Sequence, residues 1–258
     1  MRNIGPLIRW LVVLALAGTS LAGHAACETG LAERMHAKLH PDRKLDHERA
    51  VCEPWRGFLG RYIVVLPMPR PSSQSELSTF DIDVLVVQQA DNGNTERARI
   101  VSRLYQPSAL TEDAVRIAEI RIDTARYTLA TGARAFGLRV VHRGSSRTNP
   151  YESERLSLYL PDGARLLRVL NGLELTLERG EWDTSCAGNF ETARSSLTVL
   201  RSESNGYADL QLRQTRSQSR SLQQGEDCVT REQPATFTTA TLHFEGTGYR
   251  VPKGFNAD

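Results

Sequence analysis

Asp81 and Asp83 are separated by one residue within the apolar run Phe80–Val87. The side-chain period of an extended strand is two, so both carboxylates project from one face, where together they could hold a divalent cation. His36 and His40 stand four apart in a segment with helical spacing and so share a helix face, a geometry that suits zinc or copper. His47, with Asp46 or Glu48, could complete such a site. Ala37 follows His36, so the zinc-protease pattern His-Glu-x-x-His is absent. Each pair has a plain alternative: a solvated strand face for the aspartates and a polar surface helix for the histidines.

Hydrolase chemistry has candidates by residue type alone. His142 precedes Ser145 and Ser146, and His243 sits in a strand pattern, yet no serine occupies a Gly-x-Ser-x-Gly turn. Triads assemble in space, so a pocket joining either histidine to a serine and a carboxylate would mark an enzyme, and a shallow apolar patch a binding surface. Arg213, Arg216 and Arg220 decorate a Ser- and Gln-rich stretch that could meet an anionic partner, or simply be solvated. No catalytic residue and no cofactor is assigned. The run Asp81–Val87 resembles the Asp-x-Asp strand of nucleotidyltransferases, which implies metal-holding carboxylates. That family also has a Gly-Ser turn and a helix upstream, where this chain has the Pro- and Ser-rich segment Pro67–Ser78.

The elements that must position these groups begin with a leader. Arg2 and Arg9, the apolar run Trp10–Ala17 and the small residues Gly23, Ala25 and Ala26 predict a secretory signal peptide over residues 1–26. Its apolar core is shorter than the roughly 20 residues that span a bilayer. The expected location is therefore periplasmic or secreted, with no stable membrane span. In that oxidising space the four cysteines read as two disulfides, and locality favours Cys27–Cys52 and Cys186–Cys228. A catalytic thiol at Cys186 has no local signature.

Leu31, Met35 and Leu39 predict a helix ended by Pro41. With Cys27–Cys52 it forms a clasped helical segment over residues 27–58. Alternating or apolar runs then predict strands: Tyr62–Leu66, stopped by Pro67, Pro69 and Pro71, then Phe80–Val87 and Ala98–Tyr105. Thr111–Asp113 resembles a helix start. Further strands follow at Ala118–Asp123, Tyr127–Leu129, Ala135–Val141, Arg155–Leu160, Leu166–Leu170, Leu173–Leu177, Leu197–Arg201, Ala208–Arg213 and Thr236–Phe244. Asp91–Asn94, Pro161–Gly163 and Ser204–Gly206 supply turns, and Gln214–Pro234 reads as a polar excursion.

The chain is 40% hydrophobic and 24% charged, which supports a folded core and excludes the disordered class. Its 32 basic and 30 acidic residues give +2, too even a balance for a dedicated nucleic-acid binder. The expected fold is mainly β, an antiparallel sandwich or meander with a partial propeller as the alternative, behind a small N-terminal helical segment. Residues 59–258 form the β-rich domain, with a sub-boundary allowed near Gly180. Gly206–Leu210 followed by Phe244–Tyr249 resembles exported β-rich proteins of Gram-negative bacteria, a likeness that implies no activity. The expected function is an exported binding or envelope-interaction protein whose partner is an envelope protein or a glycan. The alternative is an envelope hydrolase, metal-assisted through Asp81 and Asp83 or His36 and His40.

Overall fold

The computed structural model describes residues 30–71, 77–89 and 95–256. The expected signal segment, Cys27, residues 72–76 and the stretch 91–94 expected to turn lie outside them. Helix α1 (Leu31–Leu39) buries Leu31, Ala32 and Met35 and stops where Pro41 cannot extend it, with the His40 amide donating to the His36 carbonyl at 2.7 Å.

Twelve strands among the described residues form one sheet. β1 (Val51–Pro54), β2 (Arg61–Pro69), β3 (Ser78–Gln88) and β4 (Arg99–Glu112) make a first antiparallel meander. A second runs through β5 (Val115–Ala130), β6 (Ala133–Gly144), β7 (Tyr151–Asp162), β8 (Arg165–Trp182), β9 (Gly188–Ser204) and β10 (Tyr207–Gln224). The two join at a parallel contact between β4 and β8, Arg103 beside Arg165, where the Ser102 hydroxyl donates to the Gly163 carbonyl at 2.7 Å. β11 (Asp227–Glu232) and β12 (Thr236–Leu242) both pair with the far side of β10. The class is mainly β with a small helix, and the chain path is a meander with no separate blades.

The sheet rolls until it is nearly closed, because β1 packs against β5; beyond β8 it curls the other way, and β10 also reaches β5. Two apolar interiors result, and β5–β8 is the wall between them. Phe136, Leu138, Val140 and Tyr159 face the first, together with Trp55, Ile63, Val65, Ile82, Val84 and Val86. Leu156, Leu158, Leu160, Leu173 and Leu175 face the second, with Leu210, Leu212 and Leu242. A third cluster seats α1 on the outer face of β2 and β3 through Val64, Leu66, Leu85 and Val87. This explains why β2 and β3 read as unbroken apolar runs: both of their faces are covered.

Three expectations change. β2 continues through Pro67 to Pro69, because Pro67 directs its backbone away from β3, where its carbonyl accepts from the Asp46 amide at 2.9 Å. A missing N–H costs nothing on such an edge. Thr111–Asp113 starts no helix; β4 runs to Glu112, and Asp113 closes the turn by accepting from the Val115 amide at 2.8 Å. The excursion Gln214–Pro234 is the second half of β10 hairpinned to β11. Its alternating Ser, Gln and Arg carry no apolar signal, so backbone pairing alone reveals it as strand.

Cys186 and Cys228 are bonded, with Cα atoms 5.6 Å apart. Cys52 is also in a disulfide. Its expected partner Cys27 is outside the described residues. No described helix is long and apolar enough to cross a membrane.

Candidate functional site

Asp81 and Asp83 do share a face of β3, but that face is not solvated: their exposures are 1% and 0%. It lies under the loop that follows α1. There His40 Nε2 stands 2.7 Å from Asp83 Oδ2, so the two candidate pairs of the sequence meet in space. Arg103 embraces the same carboxylate, with Nε 2.9 Å and Nη2 2.7 Å from Oδ2. At Asp81 the register with β4 shifts. The bulge turns the Ser108 amide onto Oδ1 at 2.7 Å, and Arg70 donates to the same oxygen at 3.1 Å. Tyr105 and Arg43 donate to Oδ2 at 2.6 and 3.0 Å.

Burial opposes charge on Asp81, yet the Tyr105 hydroxyl, the Ser108 amide, Arg43 and Arg70 together hold its carboxyl down at about 2. His36 sits one turn behind His40, their ring centroids 6.2 Å apart. Burial, then His40, His47 and Arg43, keep its imidazole below the usual range. His47 instead lies 3.7 Å from Glu33. Among the described residues no three His, Cys, Asp or Glu side chains gather closely enough to hold an ion. Three guanidinium groups take the acceptor positions that a metal would need. Chemically the cluster is a latch, fastening His40 and Arg43 to β3 and β4.

The histidines proposed for hydrolysis separate into two settings. His243 Nδ1 lies 3.0 Å from Asp209 Oδ1 and 3.1 Å from Ser204 Oγ. The residue types are those of a triad, but both contacts fall on one nitrogen. A relay needs the carboxylate on one ring nitrogen and the nucleophile on the other. His142 faces the first interior beside Ser153, its cross-strand partner on β7. Ser153 accepts from the Tyr151 hydroxyl at 3.1 Å, and His142 Nδ1 has no hydrogen-bond partner. The link from carboxylate to base is therefore missing there too.

A broad concavity lies at one end of the shared wall, where β5–β9 begin or finish. This groove of about 840 Å³ is lined by Tyr151, Phe190, Asn149, Asn189, Gln218 and Gln233, among others. Gly180 and Gly188 make room for Phe190: a Cβ on Gly180 would come 2.5 Å from its ring, and one on Gly188 2.9 Å. The ring thus lies across bare backbone on two strands and presents itself to the groove. Two of the four charged groups in the lining, Arg179 and Glu191, are matched to each other. Glu191 accepts from Arg179 at 2.9 Å and is also paired with Arg216; burial opposes its charge but these arginines keep its carboxyl low. Arg220 lines the groove, whereas Arg213 is exposed elsewhere on β10.

Comparison with protein-family models, curated proteins and solved structures found no match. The groove residues escaped the sequence reading because they come from six strands and three connections with no common spacing. One signal was present: Tyr151 directly follows Pro150, and Phe190 comes two residues after Gly188, so both aromatics stand near the start of a strand.

Proposed function

We propose that this chain is a non-enzymatic binding protein of an exported compartment, periplasmic or secreted, and that its ligand is a glycan held in the groove at the end of the shared wall. The groove itself carries this reading. It is of ligand-site size, it offers the aromatic rings of Tyr151 and Phe190, and its polar lining includes four side-chain amides. A sugar ring presents an apolar C–H face and a rim of hydroxyls. Aromatic rings suit the first, and Asn149, Asn189, Gln218 and Gln233 offer both donors and acceptors to the second. The predicted leader and the Cys186–Cys228 bridge support export.

Calorimetric titration of the mature protein with a panel of neutral and acidic oligosaccharides tests this. Binding is expected, and Phe190→Ala is expected to weaken it by about tenfold, the scale of a lost aromatic contact. Binding that ignores Phe190→Ala places the ligand elsewhere. Release of new reducing ends during the titration turns the reading to the hydrolase alternative.

A further inference from the structure

β12 is an edge strand. Its seven residues pair with β10 alone, and among the described residues no strand lies on its other side. Every second N–H and C=O along such an edge points away from the sheet, open to water and to any strand that can pair with it. Folded proteins blunt open edges with charges or proline. β11, on the same side of β10, carries Asp227, Arg231 and Glu232, and β1 carries Glu53 and Pro54 and packs against β5. β12 has neither device. The run Thr236–Leu242 holds four threonines, a phenylalanine and no charge, a composition that favours extended pairing.

The register with β10 fixes which way its side chains point. Leu242, Ala240 and Thr238 lie beside Leu210, Leu212 and Gln214, on the face of the second interior. Phe237, Thr239 and Thr241 lie beside Thr215, Arg213 and Gln211, on the outer face. Phe237 is 78% exposed there, so most of the ring's apolar area stays in water.

We propose that β12 joins β12 of a second copy of this chain, antiparallel and centred on Thr239, to make a two-fold dimer with one continuous sheet. The strand is complementary to itself in that register. Thr236 comes across from Leu242, Phe237 from Thr241 and Thr238 from Ala240, so all seven residues are paired. A two-fold axis through the sheet keeps each side chain on the face it already occupies. Phe237 therefore covers Thr241 of the other copy on the outer side, the aromatic with β-branched match that stabilises cross-strand pairs. No two charges meet. Arg213 stands one strand back from Thr239 in each copy, so the two guanidinium-bearing positions are three strand spacings apart, about 14 Å, where salt screens their repulsion. A second copy is favoured over a foreign segment because this register matches the strand residue for residue, whereas the edge has no charge with which to select another sequence.

Sedimentation velocity of the mature protein, from dilute solution up to about 1 mM, tests this. A concentration-dependent dimer is expected. Thr239→Lys sets two like charges against each other at the two-fold axis, and Thr239→Glu does the same with the other sign. Thr239 is exposed, so the folded monomer is expected to tolerate both. Each variant alone is expected to dimerise at least about tenfold more weakly than wild type. An equimolar mixture of the two is expected to pair again, since opposite charges then meet. Hydrogen exchange of the wild type gives an independent reading, in which alternate β12 amides slow as concentration rises. A wild type that is monomeric at every concentration overturns the proposal, and so does a dimer indifferent to Thr239→Lys. Variants that fail to dimerise alone and do not recover on mixing overturn the register about Thr239.

Discussion

At the scale of single residues, the latch around Asp81 and Asp83 has the clearest energetic consequences. Asp83 is fully buried against Arg103, which retains a third of its exposure. Asp83→Asn leaves that guanidinium without its counter-charge. The expected loss is about 2 kcal/mol in urea denaturation, below the value for a fully buried pair because solvent still reaches Arg103. Asp81 behaves differently with pH. Its folded carboxyl is held at about 2 against an ordinary 3.8, so its contribution is complete above pH 3.8 and disappears as the pH falls through about 2. That shift corresponds to about 2 kcal/mol. Acid titration of stability should lose this component in Asp81→Asn, and an unchanged acid limb in that variant would contradict the assignment. The aspartate pair and its shared face were legible from period-two spacing. Their burial was not, because the covering loop and the three arginines come from distant stretches of chain.

At the scale of elements, β8 and β10 organise the sheet. β8 continues through Gly180 to Trp182, pairing with β4 near its start and with β9 near its end. β10 carries β9 on one side and β11 and β12 on the other. Its far half is polar on both faces, so little apolar burial supports it. The Cys186–Cys228 bond, closing 42 residues, takes over that role by tying β11 to the turn before β9. Replacing both cysteines with serine should cost about 4 kcal/mol by the chain-entropy estimate. Hydrogen exchange should show the β10–β11 hairpin opening first; uniform protection loss would argue against this local role. Strand positions with an apolar face were readable from sequence. This hairpin was not, since its Ser, Gln and Arg residues give no periodic contrast.

At the scale of the whole molecule, the decisive feature is a wall with two apolar faces. Because β5–β8 belongs to both interiors, neither can lose its packing alone. Leu156 and Leu158 are fully buried on one face of the wall, and Phe136 and Tyr159 on the other. Leu158→Ala should cost about 3 kcal/mol. Calorimetry of that variant should still show one transition; two separated transitions would mean the interiors unfold independently. The groove also belongs to this scale. It sits where the wall's strands end, so it depends on how far each strand runs before it turns.

Taken alone, the order of residues determined the β-rich class, the short helix and its stop at Pro41, and the strand locations with apolar alternation, and it favoured the Cys186–Cys228 pairing among three that the structure then decided. These are local properties: backbone preference and side-chain period act over a few residues, and proximity in sequence makes one disulfide easier to close than its rivals. Only the tertiary structure decided that the aspartates are covered, that a polar stretch is a hairpin, and that Tyr151 and Phe190 converge at one end of the sheet. Those outcomes depend on which strands become neighbours, and the roll of the sheet joins residues whose separation in the chain carries no signal of their contact.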